Sequence, residues 1–119
     1  MTKPEYSNKR PLRYSQWHRT LSDKCYVTNI DWIEVRGDEI KAVIEEKSLR
    51  SDQKPYLSNF QKTTMLKIAD ALSVPCYVVY HNLETQVNEG KFDFILVNLR
   101  TQETQVFNNE EYKKFIEKL

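Results

Sequence analysis

Hydrophobic and polar positions change period several times along this chain, and each change marks an element. Residues 25–36 and 40–48 carry β-branched and aromatic side chains with two-residue phasing, and only Gly37, Asp38 and Glu39 separate them, which predicts a β-hairpin. Upstream, Pro11 opens a pattern with Leu12, Trp17 and Leu21 inward, predicting a helix over 11–21 after a polar tail of residues 1–10. Residues 49–58 are polar, contain Pro55 and read as a loop. Over 59–72, Phe60, Met65, Ile68, Ala69 and Leu72 fall on one helical stripe, with Ser58 or Asn59 as cap and Pro75 just beyond the end. The run Cys76-Tyr77-Val78-Val79-Tyr80 is continuously apolar, as in a strand covered on both faces, and residues 92–99 form another such run after a loop over 81–90. Asn108-Asn109-Glu110-Glu111 spells a capping box, followed by Tyr112, Phe115, Ile116 and Leu119 on one helical face.

The predicted order is α-β-β-α-β-β-α, an α/β sandwich of three-layer type around a central mixed sheet. With 119 residues the chain has length for one domain, assigned to 11–119. The charged and hydrophobic fractions of 29% and 39% describe a globular chain, and two glycines speak against a phosphate-cradling glycine loop. No apolar run approaches the roughly 20 residues of a membrane span and the N-terminus has no signal-type apolar core, so the expectation is a cytoplasmic protein without a membrane partner.

The hairpin carries charges where an apolar ribbon should not. A three-residue loop pairs Arg36 with Ile40; counting back then sets Asp31 opposite Glu45, with Ile33, Val35 and Val43 on the same face and Lys47 just beyond. Two carboxylates and an ammonium converging at one end of such a ribbon are costly unless a cation and chemistry justify them. A two-residue loop shifts the pairing by one and brings Glu46 to that face instead, so Glu45 is preferred and Glu46 remains open. Glu34 and Arg36 fall on the opposite face. Gln61 shares the inward stripe of the second helix with Met65 and Ile68, a polar residue at the first turn of a buried face.

An Asp on one strand, Glu-x-Lys near the end of the next, then a helix and another strand resembles the PD-(D/E)xK nuclease superfamily, in particular its small phage, prokaryotic and resolvase-like members. Asp31, Glu45, Glu46 at the variable position and Lys47 carry the resemblance, which spans about residues 11–99. The proline that names the superfamily is replaced by Ile30, and residues 11–22 contain no acid. The resemblance implies a restriction-endonuclease-like core and a metal-dependent DNA endonuclease. Asp31 and Glu45 are then the side-chain ligands of Mg²⁺ or Mn²⁺, joined by the main-chain carbonyl of Glu46, a donor set suited to a hard divalent ion. Lys47 would orient the attacking water or stabilise charge on phosphorus, and Gln61 would position the scissile phosphate or the lysine.

Charge distribution points to a DNA-facing segment. Residues 1–24 hold six bases (Lys3, Lys9, Arg10, Arg13, Arg19, Lys24) against Glu5 and Asp23, whereas the remainder has twelve bases and fifteen acids. Arg10, Arg13 and Arg19 are the expected phosphate contacts. Cutting both strands of a duplex would call for a homodimer. Alternative readings are a structure-specific nuclease of the Holliday-junction-resolvase type, and a non-catalytic nucleic-acid-binding module that keeps the fold. Cys25 and Cys76 read as small buried thiols, Trp17 and Trp32 as packing residues, and His18 and His81 have no metal-ligand spacing.

Overall fold

The computed structural model describes residues 13–49, 57–82 and 94–119. Its elements are α1 (Arg13–His18), β1 (Trp32–Arg36), β2 (Glu39–Leu49), α2 (Asn59–Leu72), β3 (Cys76–Asn82), β4 (Phe94–Asn98), β5 (Thr104–Phe107) and α3 (Asn109–Glu117). The five strands form one mixed sheet in the order β1-β2-β3-β4-β5, in which β2 and β3 are parallel and the other neighbours antiparallel. The β2–α2–β3 crossover supplies the parallel pair, as a helix-connected unit must.

Strand alternation distributes two cores. Val43, Val78 and Tyr80 face α2, where Met65 and Ala69 close a cluster with Val74, Cys76 and Leu99. Ala42, Ile44, Val79 and Leu96 point the other way, against Tyr112, Phe115 and Ile116 of α3. A helix on each face of a mixed sheet is the α/β layering expected from the hydrophobic pattern. Both helix starts are fixed by their predicted caps: the Ser58 side chain accepts from the Gln61 N–H, and Asn108 and Glu111 make the reciprocal capping box.

Several expectations are corrected. Residues 25–31 do not join the sheet, and the first strand begins only at Trp32. The described part of the first helix ends at His18, and Trp17 is 54% exposed rather than inward. Trp32 is half exposed as well, Cys25 lies at the surface, and Phe60 faces out against Tyr26. His81 extends β3 instead of opening a loop. The fifth strand, Thr104–Phe107, lies outside the predicted elements; it is short and largely exposed at the sheet edge, so its sequence has little hydrophobic period to show. The tail at 1–10, Leu12, Pro55 and most of the expected 81–90 loop lie outside the described residues.

The hairpin resolves the two competing registers by using both. Val35 pairs with Ile40 and Arg36 with Glu39, leaving Gly37 and Asp38 as a two-residue loop. Gly37 stands at φ +65°, which the tight primed turns require at this position and which glycine adopts without steric cost. The register then shifts between Glu34 and Val35, so that Lys41 is an extra residue on β2, and from there Glu34 pairs with Ala42, Ile33 with Val43 and Trp32 with Ile44. This bulge restores the alignment of a three-residue loop and carries Asp31 toward Glu45.

Candidate active site

Asp31 sits at the bend just before β1, where the chain turns onto the sheet edge. Its Oδ2 accepts the Glu46 main-chain N–H at 3.0 Å, which ties the carboxylate to β2 two residues past Ile44, the last position paired with β1. In an extended strand the N–H and C=O of one residue point to the same side, so the Glu46 carbonyl opens toward the Asp31 side too. The Glu45 side chain lies on the α2 face, close enough to Asp31 for the two carboxyls to interact. Glu45 is also the one buried charged residue among those described, at 7% exposure.

Burial and the adjoining Asp31 carboxylate have a large electrostatic consequence. Desolvation disfavours the Glu45 anion, and the hydrogen bond and negative charge of Asp31 add to that, while Lys47 pulls the other way; the net result lifts Glu45 from 4.5 to about 7. Glu45 thus keeps its proton up to near neutrality, a proton that a bound cation would displace.

Lys47 follows on the same face of β2, its Nζ 3.7 Å from Glu45 Oε1 and 3.4 Å from Gln61 Oε1. Gln61 is half-buried at the first turn of α2. Its Oε1 also accepts from the Ser58 hydroxyl at 3.3 Å, so two donors hold the carbonyl end inward and leave the amide NH₂ end for another acceptor. The helix phase predicted this inward direction, and the Lys47–Gln61 contact is the outcome. The bend before β1, strand β2 and the first turn of α2 therefore bring Asp31, Glu45, Lys47 and Gln61 together.

Glu46, the alternative ligand by side chain, turns to the opposite face. There its Oε1 accepts the Trp32 indole N–H at 2.8 Å and its Oε2 contacts His81 Nε2 at 2.8 Å. No spacing along the chain marks this second cluster, because the pairing that carries His81 alongside β2 is a parallel register set by the crossover helix. Glu34 and Arg36 face that side as expected: Arg36 binds Glu34 at 3.0 Å and the Ile116 carbonyl of α3 at 2.7 Å.

Of the expected phosphate contacts, Arg13 and Arg19 are exposed on and just after α1, beside the exposed rings of Tyr14 and Trp17 packed 5.5 Å apart. Arg10 lies outside the described residues. Among the described residues no group of three or more His, Cys, Asp and Glu side chains converges as a metal site, so a cation here would draw on two carboxylates and main-chain oxygen. No described helix is long and apolar enough to cross a membrane. No family model, curated protein or solved structure matches the chain.

Proposed function

We propose that the chain is a metal-dependent endonuclease acting on DNA, with a restriction-endonuclease-like core built on β1, β2, α2 and β3. The observation that carries this reading is the meeting of Asp31, Glu45, Lys47 and Gln61, drawn from the bend before β1, from β2 and from α2.

The donor set fits a hard divalent cation. The Asp31 and Glu45 carboxyls with a main-chain carbonyl on the same side offer oxygen only, which suits Mg²⁺ or Mn²⁺ with water completing the shell. Such an ion would supply Lewis acidity at the phosphate and acidify water in its shell. The chain's own residues do the rest. Asp31 and Glu45 hold the negative charge that fixes the cation, and Glu46 N–H keeps Asp31 oriented. Lys47 presents its ammonium where negative charge grows on the phosphoryl oxygens as water oxygen bonds to phosphorus and the opposite P–O bond breaks. Gln61, with its carbonyl held by Lys47 and Ser58, offers its NH₂ to a phosphate oxygen.

The decisive test is hydrolysis of supercoiled plasmid and of labelled single-stranded, duplex and four-way-junction DNA in Mg²⁺ or Mn²⁺, with EDTA as control. Metal-dependent cleavage lost in Asp31→Ala is the expected result. Saturable DNA binding without cleavage on any of these substrates would establish a non-catalytic module instead.

Within this reading, Gln61→Ala should lower cleavage roughly 10–100-fold, the loss of one or two oriented hydrogen bonds at about 1.4 kcal/mol per tenfold. Divalent-ion affinity should stay within about twofold, because Gln61 contributes no ligand. Gln61→Glu should cost more, since it adds a third carboxylate facing the phosphate. Single-turnover rates at saturating metal check both; a wild-type rate in Gln61→Ala makes Gln61 a capping residue only.

A further inference from the structure

The α3 side of the sheet holds a cavity of about 340 Å³, a volume typical of small-molecule sites. It is separated from Asp31, Glu45 and Lys47 by the thickness of the sheet, and nothing in the nuclease reading uses it. Its walls are aromatic: Trp32 from β1, Phe94 from β4 and Tyr112 from α3, with Phe94 and Tyr112 in ring contact at 4.5 Å. Its floor is aliphatic. Glu34 and Glu46 enter it from adjacent strands, and His81 completes the polar set.

The polar groups decide what such a cavity can take. Glu46 is oriented by the Trp32 indole N–H on one oxygen and His81 Nε2 on the other, each at 2.8 Å. A neutral indole donor fixes the carboxylate without cancelling its charge, and each oxygen retains a further acceptor site. Glu34 is ion-paired with Arg36 at 3.0 Å, and the same guanidinium also donates to the Val35 and Ile116 carbonyls, so Glu46 is the carboxylate of the lining with no lysine or arginine on it. Burial, with Glu34 and Glu46 nearby, pushes the Tyr112 phenol up to about 12, so it remains a neutral donor. The lining therefore offers the Glu46 carboxylate and π-faces, and it contains no lysine or arginine to receive an anion.

We propose that this cavity binds a small organic cation, with an ammonium group against Glu46 and an apolar body against Trp32, Phe94 and Tyr112. Carboxylate pairing and cation–π attraction act together on such a ligand, and both weaken for a neutral molecule of the same shape.

The test uses three probes of one shape, phenethylammonium, 2-phenylethanol and phenylacetate, with the full chain carrying Trp17→Phe so that Trp32 alone reports by fluorescence. Phenethylammonium should bind at least tenfold tighter than the alcohol, and phenylacetate more weakly than either. In Glu34→Gln/Glu46→Gln the ammonium should fall to the affinity of the alcohol, whereas Asp31→Asn/Glu45→Gln on the other face should leave it unchanged. Equal binding of alcohol and ammonium overturns the proposal in favour of a merely apolar cavity, as does absence of saturable binding by any probe. Loss of ammonium binding in the Asp31/Glu45 variant overturns it by moving the cation to the other face. Should the Glu34/Glu46 variant fail to fold, the Trp32 indole N–H resonance of the otherwise unaltered chain decides: it shifts with ammonium and not with alcohol, or the proposal fails.

Discussion

Asp31→Ala and Glu45→Ala should each reduce DNA cleavage by roughly four orders of magnitude or more, about 5 kcal/mol of transition-state stabilisation. Each removes half of the carboxylate pair proposed to hold the cation, so calorimetric Mn²⁺ affinity should fall in parallel. The same substitutions bear on stability in the opposite direction, and the sign follows from Glu45. Its carboxyl keeps its proton up to about pH 7 in the folded chain but releases it near 4.5 when unfolded. Between those values the folded state binds more protons, so stability declines as pH rises from about 4.5 to 7 and stays reduced above that. The loss is on the order of 2 kcal/mol. Glu45→Gln, which is always neutral, removes it: the variant should match the wild type at pH 4 and melt several degrees higher at pH 8 without metal. Saturating Mn²⁺ should raise the wild-type melting temperature and leave Glu45→Gln nearly unmoved. Full cleavage by Glu45→Ala together with a dead Glu46→Ala would transfer the ligand role to the other face of β2.

How far the sequence reveals this arrangement depends on whether the deciding interaction is local. Helix α2 has the predicted bounds because its stripe, its Ser58 cap and the break at Ser73 all lie within one segment. The α3 face is legible for the same reason, through a capping box and four apolar residues at helical spacing. Asp31, Glu45 and Lys47 share a site by strand parity, and Gln61 reaches it by helical phase. The register was the weak point. Both loop lengths fit the sequence, and the bulge at Lys41, which reconciles them, has no signature in a run of alternating residues. Residues 25–30 are apolar enough for a strand, yet Tyr26 packs on Phe60 and Ile30 on the α2-side core, so tertiary contacts overrode their β-propensity. The Trp32–Glu46–His81 cluster depends on β2 and β3 lying parallel, with a helix between them in sequence, and no spacing rule reports that.

Lys47→Ala should separate binding from chemistry. The Lys47 ammonium stands 3.7 Å from Glu45 and 3.4 Å from Gln61, on the same strand face as the carboxyl pair. In the proposed mechanism it meets charge that develops only as the phosphodiester is attacked, so its removal should depress turnover by roughly three orders of magnitude while DNA affinity changes little. Metal binding shows a smaller, pH-dependent effect whose sign is fixed by the site. Lys47 draws the Glu45 carboxyl down, against burial and Asp31. Without it Glu45 holds its proton to higher pH, so Mn²⁺ must displace that proton and binds more weakly at pH 7, recovering as the pH is raised. The turnover defect should persist at the higher pH, because it arises from the missing ammonium and not from an unfilled metal site. Lys47→Arg should restore little turnover, since a planar guanidinium does not reproduce a compact charge between Glu45 and Gln61. Single-turnover cleavage and Mn²⁺ calorimetry at pH 7 and 8.5, with DNA binding measured in Ca²⁺, give the three quantities. A defect that disappears at pH 8.5 would assign Lys47 to tuning Glu45, and an equal loss of affinity and turnover would make it a phosphate anchor.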